Sequence, residues 1–128
     1  MGLMPGDALQ IFNYECWPLD MVRERFRVTP KILSQGRYIT ETLLVGPEQI
    51  DCFEVRELRV DACGCYELDG RLTLAVATAG KGRLSSGKDT LQLGPGNRCL
   101  IAAAADQLKV EAETDGCFRL LLCMPGRS

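Results

Sequence analysis

The chain has 128 residues, seven of them cysteine and none histidine, with 15 basic against 17 acidic side chains. That length fits one compact domain, and a net charge of −2 offers no basic excess for nucleic acid or an anionic membrane. Without histidine, Ser/His and Cys/His nucleophile pairs are excluded, and the usual general base near neutral pH and the commonest metal ligand are missing.

Residues 1–38 read as an irregular segment, because Pro5, Pro18 and Pro30 interrupt any long helix. The stretch 17–26 is expected to hold one short helix with Pro18 tolerated in its first turn. Arg23, Arg25 and Arg27 alternate with Glu24 and Phe26, a pattern expected of a solvated face. No apolar run approaches the roughly 20 residues of a membrane span. The first residues, Met1 to Asp7, lack the charged and apolar regions of a signal peptide. A cytoplasmic location with reduced cysteines is therefore expected.

From residue 39 the pattern is β. Short apolar runs at 39–45, 52–60, 71–78, 82–85, 90–93, 99–102, 108–112 and 117–124 are separated by turn residues. The turns are Gly46-Pro47, Asp69-Gly70, Ser86-Gly87, Gly94-Pro95-Gly96-Asn97 and Asp115-Gly116. Many short strands at this spacing predict a sandwich or barrel. A βαβ fold would need helical segments between strands, and they are missing.

Two strands carry further information. Within 52–60, Phe53 and Val55 share one parity while Leu58 and Val60 share the other, which predicts a β-bulge or a twist near Arg56-Glu57. Within 71–78, Leu72, Leu74 and Val76 form a bulky face, and Thr73, Ala75 and Ala77 a small one. Such a strand is expected to be covered on both sides. With the small face turned into a barrel, the bulky one needs cover from Trp17 and Phe26 or from a second subunit.

The cysteines, at 16, 52, 63, 65, 99, 117 and 123, are odd in number and unevenly spaced. Most sit beside apolar residues and read as small buried hydrophobes with free thiols. Cys63-Gly64-Cys65 is the one close pair, and no second pair completes a cysteine-only zinc site.

Gly82 to Lys88 meets the G-x-x-x-x-G-K spacing of a phosphate loop. Asp89 stands where the magnesium-binding hydroxyl should follow, and a strand and turn come next rather than a helix. A hairpin turning at Ser86-Gly87 is the expected structure. Glu67 and Asp69, two apart, could bind a cation or do acid–base work, but they sit just before Gly70, where an exposed turn is the commoner reason for acids.

The run 74–84, an apolar strand followed by Gly80-Lys81-Gly82 and a second strand, resembles the cupin hairpin. Residues 91–103 resemble the later cupin motif, with Asn97 for its aspartate and Ala102 for its proline. Cupins are small jelly-roll barrels. Across the chain, Asp7 to Ile11, Val28-Thr29-Pro30 and the strand 50–60 are similar to the C-terminal cupin domain of type I mannose-6-phosphate isomerases.

The resemblance implies an all-β antiparallel cupin-like jelly roll over 39–128, with 1–38 wrapped around it. It further implies a parent reaction interconverting mannose 6-phosphate and fructose 6-phosphate. The zinc of that family belongs to a preceding catalytic domain, so no cofactor is expected in this chain. Counting from Gly80, the two metal-binding histidines and glutamate of a cupin fall on Glu67, Asp69 and Thr73, and the later histidine on Gln107, with a possible slip of one residue over the turn. These four are the candidate ligand-facing residues, and no catalytic residue is identified.

The expected role is a structural, metal-free domain that braces a catalytic isomerase domain or a second copy of itself. The alternative is a stand-alone cupin that binds or senses a small molecule such as a sugar, and a third reading is a protein-interaction domain using its outer sheet. A lumen filled by side chains favours the first, an open polar lumen the second, and an uncharged outer patch the third.

Overall fold

The computed structural model describes residues 4–10, 16–113 and 116–127. Asp115 and Ile11, which carried a turn and part of the resemblance, lie outside them. Two short helices open the chain, α1 (Pro5–Leu9) and α2 (Leu19–Phe26). Pro18 occupies the N-cap position of α2, where its missing N–H costs nothing.

Ten strands follow: β1 (Lys31–Gln35), β2 (Ile39–Val45), β3 (Phe53–Val60), β4 (Cys63–Glu67), β5 (Thr73–Ala79), β6 (Gly82–Ser86), β7 (Asp89–Leu93), β8 (Arg98–Ile101), β9 (Gln107–Ala112) and β10 (Phe118–Pro125). They form a six-stranded sheet in the order β1-β2-β3-β10-β5-β8 and a four-stranded sheet in the order β4-β9-β6-β7. All pairings are antiparallel. The expected all-β jelly roll is the observed architecture.

Eight strands fall where the apolar runs predict them. The sequence pattern misses β1 and β4. Every residue of β1 is exposed, so it lacks the alternation that reveals a half-buried strand. Cys-Gly-Cys-Tyr-Glu in β4 holds a glycine and no β-branched residue, and so carries a weak strand signal.

The core lies between the sheets. Leu58, Val60, Ala75, Ala77, Phe118, Leu120 and Leu122 of the large sheet meet Leu84, Leu93, Leu108 and Val110 of the small one, all buried. Burying a side chain of leucine or phenylalanine size contributes about 1.5–3 kcal/mol. The β5–β6 turn is shaped by its glycines. Gly80 has φ +71°, and a Cβ there would lie 2.4 Å from the Cys117 carbonyl oxygen. A Cβ on Gly82 would strike the Phe118 ring at 2.3 Å. Both positions need glycine, so that Phe118 can seat against the hairpin backbone.

Thr73, Ala75 and Ala77 point inward and are buried, as the parity argument expects. The cover expected over the opposite face is not supplied by Trp17 and Phe26. Those rings meet each other edge to face at 5.6 Å, with the Arg25 guanidinium 4.8 Å from the Trp17 ring. Leu72 remains 52% exposed and Phe26 60%.

The irregularity expected in β3 lies on its neighbour instead. The β3–β10 register runs unbroken from Phe53↔Pro125 to Val60↔Phe118, whereas the β2–β3 register shifts between Leu43 and Val45, opposite Arg56 and Val55. Four cysteines (16, 52, 63 and 65) are exposed rather than buried, and all seven thiols are unpaired.

Candidate functional site at the barrel mouth

The parity change in β3 has a different cause from a bulge. Glu54 and Arg56 alternate with the same phase as Leu58 and Val60, so all four point between the sheets. Half of this inward face is apolar and half is charged. The charged half lies at the end of the barrel where β3 begins and β10 ends. At this mouth the side chains of Glu41, Glu54, Arg56, Tyr66, Asp69 and Arg71 form one connected network.

Arg56 is its hub. Its Nη1 donates to Glu41 Oε1 at 2.6 Å, and its Nη2 donates to Glu54 Oε2 at 2.9 Å. The Tyr66 hydroxyl donates to Glu41 Oε1 at 3.2 Å and accepts from Arg56 Nη1 at 3.4 Å. Arg71 closes the other side. Its Nη2 donates to Glu54 Oε2 at 3.1 Å and to Asp69 Oδ2 at 2.6 Å, and its Nη1 donates to the Pro125 carbonyl at 2.7 Å. Arg127, mostly exposed, approaches Asp69 at 3.5 Å and Glu54 at 3.8 Å. The Glu54 side chain is only 4% exposed, yet two guanidiniums donate to one of its oxygens. No buried side-chain polar atom among the described residues lacks a partner.

Electrostatics follow from this geometry. Burial pushes the Glu54 carboxyl up, but hydrogen bonds from Arg71 and Arg56 outweigh it and hold the group below its usual value. The hydrogen bond from Arg71 likewise holds Asp69 down, against burial. Burial works against the Arg56 cation, and Glu54, Tyr66 and Glu41 more than offset it, so it stays charged. Burial and the adjacent Glu41 charge raise the Tyr66 hydroxyl. Glu54, Asp69, Arg56, Arg71 and Tyr66 are each pushed away from titration near neutral pH. The network is therefore a set of fixed, mutually neutralising charges, without the poised acid or base that proton transfer requires.

The four sequence-identified residues do not converge. Thr73 is buried at the mouth and donates to the Arg71 carbonyl at 3.0 Å. Asp69 belongs to the network. Glu67 and Gln107 are cross-strand partners, but both are exposed and point away from the lumen. Tyr66 and Leu108, also paired, hold the inward positions, and Leu68 packs against the core. The count over the turn is thus off by one residue. At the inward positions stand a phenol, two leucines and a threonine, a donor set that does not fit zinc. Among the described residues no group of three His, Cys, Asp or Glu side chains could hold a metal ion.

Sequence reasoning missed Glu41, Glu54, Arg56, Tyr66 and Arg71. The parity change within 52–60 was the signal for Glu54 and Arg56, since it marks where the lumen turns from apolar to charged; the other three join them only through the fold.

Beside the network is a cleft of about 410 Å³ between the edge strands β7 and β8, where the two sheets are not hydrogen-bonded to each other. Leu84, Leu91, Ile101 and Leu108 form its aliphatic wall, and Ser86 and Asp89 its polar end. It flanks the same mouth, since Leu108 is paired with Tyr66 and Ile101 with Thr73.

No family model matches the chain, and neither does any curated protein sequence. Solved structures match it by shape. A cupin-2 domain protein from Rhodospirillum rubrum superposes with TM-score 0.63 at 16% identity, over 90% of this chain and 75% of that one. Ectoine synthase from P. lautus gives TM-score 0.60 at 10% identity, over 88% and 78%. Mannose 6-phosphate isomerase from Bacillus subtilis gives TM-score 0.60 at 15% identity, over 75% of this chain but 28% of that enzyme. At these identities the likeness establishes the cupin jelly-roll fold.

Proposed function

We propose that this chain is a metal-free cupin with a structural role, the counterpart of the non-catalytic cupin domain of a mannose-6-phosphate isomerase-like protein. The observation that carries the reading is the filled mouth. Fixed ion pairs and the side chains of Tyr66, Leu68, Thr73 and Leu108 occupy the place where a cupin would present metal and substrate. Aldose–ketose isomerisation needs a tuned base and an electrophile for the developing oxyanion, and this donor set provides neither. The partial cover of the Bacillus subtilis isomerase, 28% of its length, accords with a chain that corresponds to one domain of a larger protein.

The test is elemental analysis together with a coupled assay for fructose 6-phosphate formation with added zinc. The expected result is zinc well below stoichiometric and no turnover. Stoichiometric zinc, or turnover lost in Asp69→Ala, would overturn the reading.

The mouth cleft favours a second reading, a cupin that binds a small molecule. Its lining is mainly aliphatic, which suits an apolar ligand better than a sugar. Saturable binding that disappears in Leu108→Trp would move the assignment to this reading.

A further inference from the structure

The outer face of the six-stranded sheet carries two rows of side chains that cross four strands. The first is Leu100, Leu74, Cys123 and Val55, on β8, β5, β10 and β3 in turn. The second is Arg98, Val76, Leu121 and Glu57, on the same strands. Leu72 and Phe53 extend the apolar surface beyond the first row. Leu100 is 69% exposed, Leu72 52% and Phe53 43%. Contiguous apolar surface of this kind marks an interaction site in a soluble protein.

The charges at the two ends of the second row identify the occupant. Arg98 and Glu57 stand three strands apart, roughly 14 Å at about 4.8 Å per strand, too far to pair within one chain. Among the described residues neither makes an ion pair. A two-fold axis in the interface plane, parallel to the strands and midway between β5 and β10, carries β8 onto β3 and β5 onto β10 of a second copy. Arg98 then faces Glu57 of the second copy, and Glu57 faces Arg98 of the second copy. Leu74 lies over Cys123, Val76 over Leu121 and Leu100 over Val55. Such self-complementarity is the signature of an isologous contact, and it matches the aligned packing of two sheets.

We propose that this face is the docking surface for a second copy of the chain, joined by reciprocal Arg98–Glu57 ion pairs around an apolar centre. β3 and β10 have eight residues, β5 seven and β8 four, so at about 4.8 Å between strands the face covers roughly 450 Å² per copy, or about 900 Å² for the pair. That is just under the usual size of a stable interface, so the dimer is weak and reversible, with Kd in the micromolar range or above. The surface lies on the outer face of the large sheet, and Leu100 at its β8 edge also borders the cleft between β7 and β8.

Sedimentation velocity on the full chain, from low micromolar to several hundred micromolar, tests it. The expected result is a monomer–dimer equilibrium weakened about tenfold or more by either Arg98→Glu or Glu57→Arg, since each places like charges opposite one another. The combined exchange E57R/R98E restores the pairing with reversed polarity and brings association back to within about threefold of the starting protein. Circular dichroism checks that each variant is folded. A chain monomeric throughout the range, or a double exchange no better than its single variants, would overturn the proposal. The former would assign the face to a different partner.

Discussion

The two ends of the barrel are held together by different physics. At the far end Phe118, Val60, Val110 and Leu120 are fully buried, and Phe118 closes against Gly80 and Gly82. Cohesion there comes from removing apolar surface from water, and its strength depends on volume and fit. At the mouth, between the same two sheets, Glu54, Arg56 and Arg71 are nearly as enclosed, and cohesion comes from directional, charge-assisted hydrogen bonds. Desolvation cancels much of that gain, so a buried ion-pair set adds less stability than its count suggests. It does make the mouth intolerant of losing any single member, because the partner left behind stays buried and charged. The far end fails through volume changes, the mouth through charge changes.

The largest expected effect breaks the far end. Phe118→Ala removes the largest fully buried side chain, whose ring fills the space beside Gly82. Loss of transfer energy plus the residual cavity should cost about 3–5 kcal/mol, read as a shift in urea midpoint at unchanged slope. A cost below about 1 kcal/mol would mean that the hairpin collapses onto the cavity and that packing there is looser than the glycine contacts indicate.

The next effect concerns the mouth and depends on pH. Glu54→Gln keeps the shape but leaves Arg56 and Arg71 short of a counter-charge, at an expected cost of about 2–3 kcal/mol at neutral pH. The folded-state pKa values of Glu54 and Asp69 lie below their ordinary values of 4.5 and 3.8. Below those ordinary values the unfolded chain therefore binds protons first. Stability is fully present above about pH 5 and falls as pH drops through the lowered folded values. Denaturant titrations from neutral to about pH 3 should show the native chain and the Glu54→Gln variant converging in acid. Parallel curves would show that Glu54 is not held ionised by its arginines.

These differences govern how much of the molecule could be read from sequence. Strands around the apolar core announce themselves, because 71–78 and 117–124 repeat large or small apolar residues at period two. The mouth is nearly silent in the same terms. Glu54 and Arg56 read as solvent-facing residues because polar side chains usually are, so an unbroken inward face looks like a change of phase. The hub became visible once β10 gave the register, and nothing local joins Glu41 or Tyr66 to Arg56 across 15 and 10 residues. Strand β1 was illegible for the opposite reason, since all five of its residues are exposed and the pairing with β2 uses backbone that any sequence supplies.

The smallest expected effects test the alignment across the turn between β4 and β5. Glu67 and Gln107 face water on the outer side of the small sheet, while Tyr66 and Leu108 take the inward positions one residue away. Glu67→Ala and Gln107→Ala should each change stability by less than about 0.5 kcal/mol, as exposed substitutions do. Tyr66→Phe keeps the ring but deletes the hydroxyl that donates to Glu41 and accepts from Arg56. Hydrogen bonds to charged partners contribute about 1.5–3 kcal/mol, and the remaining Glu41–Arg56 pair at 2.6 Å retains part of that, so about 1 kcal/mol should be lost. Equilibrium unfolding of the three variants decides the matter. If Glu67→Ala or Gln107→Ala costs more than Tyr66→Phe, the inward register belongs to the acid and the amide. The barrel would then present a polar lumen, and the contrast between its ends would be one between a packed core and a binding site.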